Sequence, residues 1–580
     1  MINHLEGKLE RLETHLNSIF NVGDTSPVPD TPPGDNGSSA SASNNPRQDT
    51  SNNQNMEGMS SQTAPVLDRS DLNTLINTMQ TRVVSGLHQE TRPCFYIPRC
   101  MSGTGSGCFS VLTDEGLDWI SQKVDSSQID PLLGNLTSDP QLSSLLPPRK
   151  VFCSFPRAEP LSQLLHNYME YFNITFPVYT LSEIECLFAE NYADPRLCSP
   201  GQSASIHVIL AVAYMLPSEN SRPDHQRSAM FMKSALQTIS EIVLAPPELW
   251  ACKAILVMAV LFLAASAAHP CSSLISVAVQ ISNQLGLQRS EARPGLSMDD
   301  VHHQHLLFWL ICAIDTEISY RFGVPPAQQQ DVLGEAMSIN SPSSAYSVPI
   351  RDESGTFNLF HSAIELIQIR TQVIRQLYLA SVANKPFDQL LAVAGNFDSK
   401  LQTWLRKIPH EYQPDSEAIP PFRQSPALST LLFTHYNYHD CMIAIHSLVA
   451  MRGVESAHDL TGGNRLSIAP EYSKNPRVLL STSLASKAAR ASLTLLKYLP
   501  RDDIHLGIAY YYPSVAMKTL ASSIIRSPRH TSEIYNLKML YQAESYLSQT
   551  ATDCTLEAIR RLAKVCTDCC AVAQRAMDSA

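Results

Sequence analysis

The sequence predicts an all-α protein: a large multi-helix body preceded by a short coiled coil and a disordered linker. Three observations predict it. From Val151 onward, apolar residues recur at spacings of three and four with little interruption, the period of one face of a helix. No convincing run of period-two alternation occurs, and no Asn-Gly hairpin signal separates apolar runs. The chain has 580 residues, enough for large cores, and its 44% hydrophobic and 17% charged content is globular and rather poor in charge.

The elements follow in chain order. Ile2, Leu5, Leu9, Leu12, Leu16 and Ile19 alternate spacings of three and four, the a/d seam of a two-stranded coiled coil. Glu6 and Glu13 fall at e and Lys8 at g, so Lys8 of one strand can face Glu13 of a parallel partner. Residues 1–20 are therefore expected to dimerise, with an identical or a different chain. A solvent-facing helix with an apolar stripe is the plainer alternative. Residues 21–66 are rich in Ser, Asn, Pro, Gly and Asp and carry few large apolar groups, so they cannot offset their ordering entropy. Residues 67–150 are expected to form a partly ordered connection. There Ser70-Asp71 can cap a helix through Leu72, Leu75, Ile76 and Met79, and a Gly/Ser turn spans Ser102 to Gly107.

The body divides on this reading into residues 151–345 and a C-terminal helical part, 346–580. Leu161, Leu164, Leu165, Tyr168, Met169 and Phe172 form one helical face that stops before Phe176-Pro177. Helices are predicted around 182–192, 204–216, 225–244, 248–268 and 271–285, the last ending at Gly286 with Leu287 packing back on Ile281. His302 to Arg321 carries Leu306, Trp309, Leu310, Ala313 and Ile314 on one face. Further helical patterns occupy 358–382, 387–406, 427–451, 478–498, 511–525, 531–551 and 555–578. Ala254 to Ala268 is apolar all round, yet shorter than the roughly 20 residues a bilayer requires. It reads as the central helix of a large core, so no membrane partner is expected.

Composition also excludes functions. A net charge of −11 argues against the whole chain gripping a phosphate backbone. Arg149-Lys150 and the group Arg560, Arg561 and Lys564 are short basic clusters, at most a hint of nuclear import. The 14 cysteines are scattered behind a polar start without an apolar signal region, which predicts a reducing intracellular compartment.

No catalytic or metal constellation stands out. Gly103-Thr-Gly-Ser-Gly107 lacks the Gly-Lys-Ser/Thr ending of a phosphate loop and no apolar strand leads into it. Neither Gly-x-Ser-x-Gly nor His-Glu-x-x-His occurs. His302, His303 and His305 read as exposed polarity at a helix start, and Cys566, Cys569 and Cys570 as core cysteines. The chain is expected to be no enzyme and to hold no metal.

Three segments resemble the large helical regulatory region of the fungal zinc-cluster transcription factors. Tyr171-Phe-Asn-Ile-Thr-Phe-Pro-Val-Tyr179 is similar to the family's opening motif. Trp250 to Gln288 ends in Gln284-Leu-Gly-Leu-Gln288, similar to the family's LGLH helix ending. Leu307-Phe308-Trp309, Asp315, Ser319 and Gly323-Val-Pro325-Pro326 resemble its LFW, D, S, GRPP signature. A weaker likeness runs from Tyr436-Asn-Tyr-His-Asp440 to His446, and the whole covers roughly 150–450. Two departures accompany it: His and Gln precede LFW where basic residues are usual, and Val324 replaces the Arg of GRPP.

In that family a six-cysteine zinc cluster precedes a linker and a short coiled coil. The heptad beginning at Ile2 looks like that coiled coil, while Cys94, Cys100 and Cys108 have the wrong spacing for the cluster. The resemblance implies a nuclear transcription regulator, with pathway-specific control of a secondary-metabolite gene cluster as one expectation. Zinc is expected only if an upstream cluster exists, lost here through a mis-set start or absent genuinely. DNA would be reached through that cluster or a partner, and the helical body would meet co-regulators. The alternative is a non-DNA-binding co-regulator that pairs with a full-length factor.

Overall fold

The computed structural model describes residue 149 and residues 154–191, 198–217, 223–288, 297–335, 346–350, 355–379, 385–414, 426–461, 475–498, 503–554 and 557–579. The expected coiled coil (1–20), the linker (21–66), and all but Arg149 of the connecting region (67–150) lie outside the described residues.

The described residues are overwhelmingly helical. α1 (Ala158–Asn167) runs into a π-helical turn, Tyr168–Asn173, and is followed by α2 (Leu181–Asn191) and α3 (Pro200–Met215). α3 begins with a capping box in which Ser199 and Gln202 satisfy each other's backbone amides. The predicted helix 225–244 is two, α4 (His225–Gln237) and α5 (Ile239–Leu244), joined at Thr238. α6 (Leu249–Ala264) is the apolar segment, with residues 254–260 at zero exposure, as a helix apolar on every face requires. None of the described helices is long and apolar enough to cross a membrane.

α7 (Ala268–Leu285) ends at Gly286, φ 65°, and the Leu287 amide donates to the Ser282 carbonyl. This left-handed cap carries Leu287 into the same core as Ile281. α8 (Met298–Phe322) starts at Ser297, capped reciprocally by Asp300, and ends at Gly323, φ 67°. A single turn, α9 (Gln330–Glu335), follows. A small antiparallel pair then appears, β1 (Ser347–Pro349) against β2 (Thr356–Asn358), with Val348 opposite Phe357. Three-residue strands are too short to show alternation, so the sequence did not betray this hairpin.

The second half contains α10 (Leu359–Val373), α11 (Phe387–Lys407), α12 (Pro426–Thr461) and α13 (Pro476–Thr494). It closes with α14 (Asp503–Ala509), α15 (Tyr511–Arg526), α16 (Thr531–Asp553) and α17 (Glu557–Asp578). Two apolar cores result. The first gathers α3, α6, α7 and the middle of α8; the second gathers α10 to α13 with α15 to α17. They interlock: Ile504 and Ile508 of α14 return to the first core, as do Ile364 and Ile367 of α10. Cys566 and Cys570 are buried in the second core, and burial pushes each thiol up to about 12.

Candidate functional site

The seam between the two cores carries both a cavity and a buried ionic network, and α8 links them. Its signature residues divide by position. Leu307, Phe308 and Trp309 are core residues, and Trp309 Nε1–H donates to His305 Nε2 at 3.2 Å. His305 is thereby an inward-facing acceptor. His303 also turns in, its Nε2 lying 3.1 Å from the Val178 carbonyl. The exposed-polarity reading of the His302, His303, His305 group is corrected for these two: the first turn of α8 is open to solvent, but from Val301 onward one side of the helix packs inward and carries both rings with it. Among the described residues, no group of three or more metal-ligating side chains is placed to hold an ion.

Asp315 organises the chain beyond the helix. Its carboxylate oxygens accept from the amides of Ala327 (3.0 Å) and Gln328 (2.9 Å), and Ser319 Oγ donates to the Asp315 carbonyl at 2.9 Å. Burial raises the Asp315 pKa, and the Gln328 and Ala327 amides oppose that rise. Gly323 supplies the left-handed turn, Pro325 is exposed and Pro326 is buried. Val324 packs against the first core, a role that the family's arginine could not fill in the same way. The signature is thus a helix stop whose carboxylate ties down the following loop.

One turn along α8 lies the network. Glu317 accepts from Arg321 Nε at 2.7 Å and from Arg370 Nη1 at 3.1 Å. Arg370 Nη2 reaches Asp440 Oδ2 at 3.1 Å. The Arg370 guanidinium lies 4.1 Å from the Tyr320 ring centroid, and that of Arg321 lies 4.6 Å from Tyr511. Arg321 also donates to the Ile508 carbonyl, which ties α8 to α14. Two cations face two anions, so the sealed cluster is neutral overall, the condition under which buried charges are tolerated.

The two acids differ in titration. Burial alone would raise Glu317, but Arg321 and Arg370 outweigh it and hold its pKa below the ordinary carboxylate value. Asp440 meets one arginine and is repelled by Glu317, so burial dominates and pushes its pKa up to about 6.

Above this network opens a cavity of about 460 Å³. Ser319 and Asp440 are buried members of its lining and Tyr320 a half-buried one, while Lys518 and Arg526 of α15 are exposed members at its rim. Ile443, Ala444 and Met451 of α12, Ala485 of α13 and Val515 of α15 supply apolar wall. Two residues named by the resemblance, Ser319 and Gly323, therefore line it, whereas Leu307, Phe308 and Trp309 belong to the core behind. Asp440 fell within the weaker likeness, Tyr436 to His446. Nothing in the sequence singled out Glu317, Arg370, Lys518 or Arg526. The dimerisation residues Ile2 to Ile19 lie outside the described residues.

A second buried ion pair sits away from the cavity, in the first core. Lys253, fully buried at the start of α6, donates to the Glu183 carboxylate and lies 5.5 Å from the Tyr179 ring and 5.7 Å from Trp250. Arg149 is likewise spent inward, paired with Glu241 at 2.7 Å.

Residues 165–407 match the family model described as the fungal specific transcription factor domain. The chain is 26% identical to an ABC-transporter-regulating transcription factor of Aspergillus oryzae over 82% of this chain and 54% of that protein. A protein of the same description from Aspergillus fumigatus is also 26% identical, over 82% and 54%. An uncharacterized transcriptional regulatory protein of Schizosaccharomyces pombe is 31% identical over 32% of this chain and 25% of its own length. The chain thus spans about half the length of the Aspergillus relatives it matches. No solved structure matches.

Proposed function

We propose, on the premise that residues 165–407 are a fungal specific transcription factor domain, that this chain is the regulatory body of a fungal transcription regulator. DNA contact would belong to a zinc cluster outside this sequence or to a partner. The observation that carries the reading is the acidic balance of the chain, with four of its cations turned inward. Arg149, Lys253, Arg321 and Arg370 are all committed to carboxylates within the protein, in a chain of net charge −11. A phosphate-gripping surface needs the reverse, cations held outward in a cluster.

The names of the Aspergillus relatives favour ABC-transporter genes as the target class over the secondary-metabolite cluster considered from sequence. Dimerisation through Ile2, Leu5, Leu9, Leu12, Leu16 and Ile19, action in the nucleus, and a non-catalytic role complete the proposal. The alternative, a co-regulator that never carries its own zinc cluster, shares all of this except the DNA-binding module.

The test is to fuse the chain to a heterologous DNA-binding domain and read a reporter in a fungal host. Tethering should change reporter output severalfold, while a gel shift with the unfused chain shows no specific DNA complex. An inert fusion, or tight zinc-independent DNA binding by the chain, would overturn the proposal.

A further inference from the structure

We infer that the cavity at the seam binds an amphipathic organic monoanion, with its acid group on Lys518 and Arg526 and its apolar body along the α12, α13 and α15 walls. Three features converge on this chemistry. The first is charge. Lys518 and Arg526 both line the cavity and stand eight residues apart on α15, on one face of the helix. Neither makes an ion pair or hydrogen bond among the described residues. Asp440 is the one carboxylate in the lining, and Arg370 already neutralises it. The rim is therefore a local excess of positive charge on an acidic protein. Such an excess attracts an anion and disfavours a cation.

The second feature is shape and polarity. A volume of about 460 Å³ matches the range of roughly 300–1,000 Å³ typical of small-molecule sites. Ile443, Ala444, Ala485 and Val515 offer small apolar surface that an alkyl or aryl body would bury. The third feature is spare hydrogen-bonding capacity. Ser447, Ser486 and Ser522 line the cavity, and their hydroxyls have no hydrogen bond among the described residues. Ser486 is itself only 6% exposed, and an isolated alcohol in such a place is better satisfied by a polar ligand atom than left alone.

Position gives the site a consequence. The lining draws on α8, which belongs to the first core in its middle, and on α12, α13 and α15 of the second. A ligand would bridge helices from both cores directly above the Arg370 network. Its binding would favour one arrangement of the seam over another, by as much as its affinities for the two arrangements differ.

The test uses the purified 580-residue chain and a fluorescent amphiphile, 11-(dansylamino)undecanoate, displaced by decanoate or by decanol. The account predicts that decanoate displaces the probe at a concentration about tenfold lower than decanol. That preference corresponds to one charge-assisted contact of moderate strength. In Lys518→Gln/Arg526→Gln, two exposed substitutions that leave the fold intact, the preference should vanish while decanol is unaffected. Ala444→Phe, which fills the wall, should abolish probe binding. Four results would overturn the inference: equal potency of acid and alcohol, a preference that survives the double variant, displacement by inorganic phosphate alone, or recruitment to anionic phosphatidylglycerol vesicles. Because binding is read on the isolated chain, its failure leaves the transcriptional reading standing, and a silent reporter leaves the binding result standing.

Discussion

Lys253 and Arg370 are both cations sealed inside the protein, yet their anions are placed differently. Glu183, the partner of Lys253, keeps 27% of its side chain exposed. Glu317 and Asp440, the partners of Arg370, keep 6% and 5%. The first pair hangs from the surface, so water can still reach its carboxylate. The second is packed among aromatic rings and helices from both cores, and only its Asp440 end borders the cavity. The lesson is that equal burial of a cation does not mean equal cost of losing it: what counts is whether the orphaned partner can rehydrate.

The comparison breaks most visibly at Arg370. Arg370→Ala strips the buried Asp440 of its paired cation and leaves Glu317 with Arg321 alone, and removing one member of such a cluster costs about 3–5 kcal/mol. Urea unfolding of the full chain should show a loss of that order. A loss below 1 kcal/mol would show that the cluster is wetter than its burial implies. Asp315→Asn comes next. It weakens two charge-assisted acceptors of the loop after α8, and a loss of about 1.5–3 kcal/mol is expected in the same measurement. Lys253→Met keeps the packing volume and leaves Glu183 free to hydrate, so about 1 kcal/mol is expected, well short of the Arg370 effect.

Smaller again is Gly323→Ala. Its φ is 67°, and no heavy atom lies within 4 Å of where the new methyl would stand. The cost is therefore backbone strain alone, about 1 kcal/mol. A value near zero would mean that the helix stop tolerates another conformation.

How far these features could be read in advance varies with their range in sequence. The helices were legible because periodicity is local: α7 with its Gly286 cap, and α17 with Cys566 and Cys570 on its buried side, follow from a few neighbouring residues each. The split at Thr238 and the three-residue hairpin were not, since neither interrupts an apolar pattern for long. The ionic seam was invisible for another reason. Glu317, Arg370 and Asp440 are 53 and 70 residues apart, and nothing local distinguishes a charge that will be buried from one that will not. Lys253 borders the apolar run from Ala254 to Ala268 in sequence, yet it is buried along with it. Of the signature, Asp315 and Gly323 proved to shape the loop after α8, while Ser319 and Gly323 reach the cavity.

Acid titration sharpens the contrast within the seam. The Asp440 pKa is raised from an ordinary aspartate value to about 6 in the folded protein. Between those two values the folded state holds the extra proton, so this group lowers stability as pH rises through that window. Glu317 has the opposite sign: its pKa is depressed, and its contribution is present above the ordinary carboxylate range and lost as pH falls below it. Asp440→Asn should therefore flatten the dependence of the urea midpoint on pH between about 4 and 6. An unchanged slope would assign the titration to another group.

The most direct measurement is hydrogen–deuterium exchange on the full chain, wild type against Arg370→Ala. If the network locks the two cores together, amide exchange rises at the C-terminal turns of α8, in α12 around Asp440 and at the start of α15, while α6 and α7 exchange as in the wild type. Uniform acceleration across α6, α7 and the seam alike, or no change at the seam, would contradict the account.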